Sequence, residues 1–278
     1  MLNLLPISFL SLFVLAACQT TDSGGASDGS SDVERTWQAA AVSVPLEFNT
    51  AGKYHITEPN TGIALIDEIN RNVRKGAKIP TVIYLHGSAG AGPSDADFER
   101  AALNAGYAVI VPKHFRRAAP NGYIGLHTTR SNTPLDIDIA YAQRLEELEH
   151  ALSQLPTIPW VDMKNIVIAG TSMGGITVRF FPARQPKING VMIFSGLCYG
   201  HYAKRGTMIE AGEGVHILYV LGTEDHYWLS HSNAEPCFDP IADRPQPSTQ
   251  TTVVAGNNVI GLAEVQEMIV SHLKAWHR

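Results

Sequence analysis

The chain is 278 residues long, 45% hydrophobic and 17% charged, with a formal net charge of -5. That is the make-up of one globular, enzyme-sized domain with a sizeable core, and nothing in it suggests a second. The acidic balance, without a lysine- or arginine-rich stripe, argues against nucleic acid as a partner.

The first 17 residues contain an apolar run, Leu4 to Ala17, closing on Leu15-Ala16-Ala17-Cys18. Small residues before a cysteine are the mark of a bacterial lipoprotein signal, after which Cys18 becomes the acylated N-terminus and holds the protein to a membrane surface. Met1 to Leu10 carries no Lys or Arg, a departure from the usual positive start. The alternatives are a plain secretory signal or a short buried helix, since the run is too short for a comfortable span. Gln19 to Ser31 is Thr, Ser, Asp and Gly with a single Ala, which reads as a flexible tether. The expected organisation is a signal over 1–17, a tether over 18–36 and a folded domain over 37–278, anchored in the bacterial cell envelope. In such an oxidising compartment the two remaining cysteines, Cys198 and Cys237, pair as a disulfide or stand as separate buried thiols. There is no internal repeat.

Val42 to Phe48 and Tyr54 to Thr57, joined by Asn49 to Gly52, read as an opening hairpin. Ile63, Ile66, Ile69 and Val73 fall at helical spacing. Thr81 to Leu85 is a strand ending in His86-Gly87-Ser88-Ala89-Gly90. Ser94 with Asp97 resembles a capping pair for a helix through Asn104 that Gly106 stops. Tyr107 to Val111 is a strand ended by Pro112. Ile137, Tyr141, Leu145, Leu148 and Leu152 mark one face of a longer helix. Further strands are Asn165 to Thr171, Val191 to Phe194, His216 to Leu221 and Thr251 to Val254, and a last helix runs from Gly261 to Trp276. Strands alternating with helices predict a mainly parallel central sheet flanked by helices on both faces, with function beyond the carboxyl ends of the strands.

At the end of one strand stands Gly170-Thr171-Ser172-Met173-Gly174, the G-x-S-x-G pattern that mounts a nucleophilic serine on a sharp strand-to-helix turn. Gly170 and Gly174 omit Cβ atoms where the turn needs unusual dihedrals and where strand and helix crowd together. The stretch after it, Gly175 to Ala183, is helix-compatible and stopped by Pro182; the alternative is an ordinary turn between strand and helix.

Tyr84-Leu85-His86-Gly87, Ala105 to Pro112, Trp160-Val161-Asp162, the serine turn and Leu221-Gly222-Thr223-Glu224-Asp225, in that order, resemble the α/β-hydrolase superfamily and within it the dienelactone-hydrolase-type branch. The resemblance implies the α/β-hydrolase fold and a serine hydrolase in which Ser172 attacks an acyl carbon of a small-molecule substrate. It further implies an oxyanion hole from the amides of Met173 and of Ser88 or a near neighbour, with Asp225 as the acid that orients an imidazole and Glu224 in reserve. His86 then braces its loop rather than acting as a base. The family's histidine, expected just after the last strand, is missing, and Asn258 or Val259 stands there. An amide is no usable base at neutral pH. His226 and His231 are the nearest candidates for recruitment, ahead of His114, His127 and His201; His272 and His277 lie too far along the last helix.

The Gly87 to Gly92 stretch lacks the spacing of a phosphate-cradling loop, and no zinc-type ligand set is present, so neither metal nor cofactor is expected. Tyr199, His201, Tyr202, Tyr227, Trp228 and His231 are candidates for a pocket lining, with ordinary packing as the alternative. Two functions follow: a membrane-tethered hydrolase of esters or related acyl bonds, or a catalytically impaired hydrolase fold kept as a binding or scaffold lipoprotein. A peptidase of the same fold is a third reading.

Overall fold

The computed structural model describes residues 31–50, 69–117, 134–184, 187–196, 209–226 and 245–278. The first helix, α1 (Asp32–Gln38), is capped by the Ser31 hydroxyl, which accepts from the Glu34 N–H. Thr36 and Trp37 are buried on it. Cys18, Cys198 and Cys237, and with them the lipid anchor and the disulfide, lie outside the described residues.

Among the described residues seven strands form one sheet: β1 (Ala41–Ser43), β2 (Ile79–Leu85), β3 (Ala108–Val111), β4 (Val161–Thr171), β5 (Gly190–Phe194), β6 (His216–Gly222) and β7 (Thr249–Val253). Their order is β1-β3-β2-β4-β5-β6-β7. Among these strands only β1 runs antiparallel, against β3, and the other strand pairings are parallel. The opening segment therefore pairs with residues 108–111 rather than closing a local hairpin, and its expected partner, 54–57, lies outside the described residues.

Because successive side chains of a strand face opposite ways, each apolar run feeds two cores. Ile83, Leu85, Ile168 and Ile193 pack under Trp37 of α1, Tyr141 and Leu148 of α3 (Pro134–Gln154) and Ile176 of α4 (Met173–Phe180). Val82, Tyr84, Val167 and Phe194 pack under Phe98 of α2 (Pro93–Asn104) and Ile269 and Trp276 of α5 (Ala263–Trp276). Each fully buried aliphatic or aromatic side chain here contributes about 1.5–3 kcal/mol.

Two local expectations are corrected. The cap of α2 is Gly92 with Asp95, whose carboxylate accepts from the Gly92 N–H, while Asp97 pairs with Arg100. Pro93 explains the shift: it needs no hydrogen-bond acceptor for its nitrogen and its fixed φ starts the helix ahead of Ser94. On α3 the buried face is Ala140, Tyr141, Arg144, Glu147, Leu148 and Ala151, with Leu145 and Leu152 only partly covered. Two charged residues thus share the core face with Tyr141 and Leu148 of the expected stripe, while Leu145 and Leu152 lie at its margin.

Candidate active site

At the carboxyl end of β4 the chain turns directly into α4, and Ser172 takes φ 50°, ψ −118°. A left-handed conformation at a residue with a Cβ is strained, and strain of this kind costs of order 1–3 kcal/mol. The surrounding contacts fix it: the Ser172 N–H donates to the Phe194 carbonyl at 2.9 Å and its carbonyl accepts from Ile176 at 2.9 Å. The flanking glycines serve close approach rather than unusual dihedrals, since neither is among the positive-φ residues. A Cβ on Gly170 would stand 2.5 Å from the Gly174 carbonyl carbon, and one on Gly174 only 2.0 Å from the Leu85 oxygen. The strain is carried by the serine itself.

Ser172 opens on a cavity of about 270 Å³ walled by the loop Gly87 to Gly90, the start of α2, Thr171, and the pair Asn257 and Asn258. Ser88, half-buried, is in that wall, and Met173 is the buried first residue of α4 directly behind Ser172. Asp95 is the one ionisable side chain among the described lining residues. Burial pushes its carboxyl above the ordinary range, opposed by the Gly92 N–H it accepts, and the Tyr84 hydroxyl lies beside it.

Asp225 is fully buried just beyond β6. Its Oδ2 accepts from Nδ2 of Asn257 at 2.9 Å. The Asn257 backbone is held in turn: its carbonyl accepts from the hydroxyl of Ser195, at 2.7 Å, and Ser195 has φ 49°. A Cβ on Gly222 would fall 2.2 Å from the Gly256 oxygen, so the acid's turn and the loop after β7 are pressed together. Among the described residues Asn257 thus faces the acid, ahead of the expected Asn258 or Val259; the Asn258 side chain accepts from the Gly261 N–H and caps a short 3-10 turn. Glu224 is exposed.

Behind the Gly87 loop lies a second, buried cluster. Arg144 is fully buried, and its Nη1 and Nη2 donate to the carbonyls of His86 at 2.6 Å and Gly87 at 3.2 Å. One turn further on α3, Glu147 accepts from Nδ1 of His114 and Nε of Arg117. The His86 ring packs edge-on to His114 at 4.5 Å and along Phe115 at 5.4 Å. Burial, with His114 and Arg144 close by, holds the His86 imidazole well below its usual range. It is neutral, and its Nδ1 sits 2.7 Å from the Gly87 oxygen. A carbonyl can only accept, so Nδ1 carries the proton and the ring braces the loop.

The other histidines are distributed elsewhere. His226 is exposed beside Asp225; His127, His201 and His231 lie outside the described residues, as do Tyr199, Tyr202, Tyr227 and Trp228. His272 is held between Thr249 Oγ1 and the Met268 carbonyl, and His277 lies against Tyr107. No group of metal-ligating side chains is assembled among the described residues. Sequence patterns passed over Asn257, Arg144, Glu147 and Asp95. For Asn257 the signal was present, a polar residue where an imidazole is expected; for Arg144 and Glu147 it was their i, i+3 spacing on an otherwise apolar face.

Among solved structures, esterase PE8 is 14% identical over 73% of this chain and 94% of its own, with a TM-score of 0.51. A cold-adapted esterase from an Arctic intertidal metagenomic library is 12% identical over 73% of this chain and 85% of its own, with a TM-score of 0.52. TT1662 from Thermus thermophilus is 18% identical over 72% and 90%, with a TM-score of 0.50. At such identities the likeness speaks for the α/β-hydrolase fold. No curated protein matches the chain in sequence. Residues 71–235, from ahead of β2 through the serine turn and past Asp225, match the dienelactone hydrolase family, and since that is more than half the chain, the protein belongs to this family of ester-bond hydrolases acting on small molecules.

Proposed function

We propose that the chain is a serine hydrolase of small-molecule esters or related acyl bonds, working through an acyl-enzyme on Ser172. The observation that carries this reading is the strained Ser172 at the strand-to-helix turn, facing a cavity beside the Gly87 loop. Ser172 Oγ bonds to the acyl carbon, the amides of Met173 and Ser88 receive the developing oxyanion, the alcohol leaves with a proton, and water then releases the acid. The start of α4 adds the positive end of its dipole at the same point. His226 and His231, which follow the acid, are the candidates to take the serine proton. Delivery to the envelope through a lipidated Cys18 belongs to the same proposal.

A second reading, a hydrolase fold retained for binding at the envelope, is favoured by one observation: among the described residues a side-chain partner of Asp225 is the amide of Asn257, which accepts no proton at neutral pH. Labelling with a fluorophosphonate probe separates the two. The first reading expects label on the wild-type protein, none on Ser172→Ala, and ester turnover lost in the same variant. An unlabelled wild type that still binds esters without turnover refutes it in favour of the second.

A further inference from the structure

We propose that Arg144 is the positioning residue of the oxyanion loop, an inference that rests on the serine-hydrolase reading above. Its guanidinium is fully buried and grips two successive carbonyls, those of His86 at 2.6 Å and Gly87 at 3.2 Å. In a trans peptide the N–H points opposite to the C=O. Fixing the His86 carbonyl therefore fixes the Gly87 amide, and fixing the Gly87 carbonyl fixes the Ser88 amide. Gly87 and Ser88 are in the cavity wall while Arg144 and His86 are not, so carbonyls drawn back toward Arg144 turn these amides toward the cavity. The distance to the nucleophile is short: a Cβ on Gly87 would lie 3.5 Å from the Ser172 Cβ.

The same loop is clamped from its other contacts. The Gly87 oxygen also accepts from Nδ1 of His86 at 2.7 Å and from the Gly90 N–H at 3.2 Å. The first turn of α4 presses on the stretch so closely that a Cβ on Gly174 would stand 2.8 Å from the His86 oxygen. A guanidinium on the carbonyl side also polarises each peptide, which strengthens its N–H as a donor. Glu147, one turn along α3 and itself bonded to His114 and Arg117, supplies the nearby negative charge that makes burial of Arg144 tolerable. Lysine cannot reproduce the arrangement, because its single ammonium lacks the planar fork that spans two carbonyls.

The test uses the full chain as wild type, Arg144→Met and Arg144→Lys. Three quantities are measured on each: the fluorophosphonate labelling rate, kcat and KM on p-nitrophenyl acetate, and inhibition by a trifluoromethyl ketone that forms a tetrahedral adduct. Misplacing amides rather than deleting them predicts a loss of about 10- to 100-fold in kcat and labelling for Arg144→Met. KM should change little and the ketone should weaken by the same factor, whereas Arg144→Lys should recover part of the loss. A purely structural arginine would lower stability while leaving kcat per folded molecule and ketone affinity at wild-type values, and that result overturns the proposal. Should Arg144→Met fail to fold, Arg144→Lys decides, and wild-type rates in it are equally fatal. A labelled wild type with an unaffected Arg144 series sinks this inference alone; an unlabelled, inactive wild type sinks it together with the serine reading.

Discussion

Replacing Asn257 by histidine tests how far the acid arm is still built for an imidazole. In the wild type Asp225 Oδ2 accepts from Asn257 Nδ2 at 2.9 Å, and the Asn257 backbone is fixed by the Ser195 hydroxyl at 2.7 Å. A histidine side chain places Nδ1 close to where the asparagine amide nitrogen stands. Its Nδ1–H can thus donate to the same carboxylate oxygen while Nε2 reaches further into the cavity that Asn257 shares with Ser172. General-base assistance contributes about 10²- to 10⁴-fold, which at 1.36 kcal/mol per decade is about 3–5.5 kcal/mol of barrier. Because the surrounding loop has packed around an amide, we expect the lower end, about 10²-fold in kcat/KM on p-nitrophenyl acetate. The rate gained by Asn257→His should follow deprotonation in the imidazole range, and Asn257→His combined with Ser172→Ala should return to background. A folded Asn257→His protein with the wild-type rate and the wild-type pH profile would refute the reasoning, because it would show that residue 257 does not point its side chain between acid and serine.

Gly174→Ala should be costly out of proportion to its size. Its Cβ would meet the Leu85 carbonyl at 2.0 Å, backbone against backbone, so the elbow or the Gly87 loop must shift. Overpacking of this kind costs about 1–3 kcal/mol, to be read from urea unfolding, with esterase activity falling further than stability accounts for. His86 should make stability depend on pH. Its folded-state value is depressed, so between that value and the ordinary value near 6.5 the unfolded chain binds a proton that the native protein does not. Its contribution is therefore complete above about pH 6.5 and is lost as pH falls, at up to about 1.4 kcal/mol per unit. His86→Gln keeps an amide donor for the Gly87 oxygen and removes the titration. Unfolding free energies measured at pH 7.5 and 5.5 should diverge between the two proteins by about that amount, and parallel values would refute the assignment.

Much of the fold was legible because buried parallel strands are near-continuous apolar runs: Thr81 to Leu85, Val191 to Phe194 and His216 to Leu221 sit inside observed strands. The serine turn was legible for a related reason, since crowding between β4 and α4 demands glycine at positions 170 and 174. Pairing was not, because the short β1 carries no mark of its partner and finds β3 across a long separation. Nor was the buried face of α3. Hydrophobic periodicity counts Arg144 and Glu147 as solvent-facing, yet paired charges with hydrogen bonds to carbonyls can occupy a core. The Asp225 to Asn257 contact needed coordinates, since a one-residue shift in the loop after β7 decides which of two neighbouring asparagines meets the acid.

These two surprises bear on one question, because they fall on opposite sides of the reaction. On the proposed serine reading, the charged cluster of Arg144, Glu147 and the histidines serves the side that stabilises the oxyanion, while the amide of Asn257 lies against the acid on the side that moves the proton. In serine hydrolases the two are separable, and deleting triad members leaves about 10³- to 10⁴-fold catalysis over water from the oxyanion hole and binding alone. On that reading a buried guanidinium bracing the first side makes electrostatic stabilisation of the adduct the stronger arm. The expected outcome is that activated esters, whose alcohols depart without a proton, turn over faster than matched amides, whose nitrogen must be protonated to leave; equal kcat/KM on a p-nitrophenyl ester and the corresponding anilide would refute it.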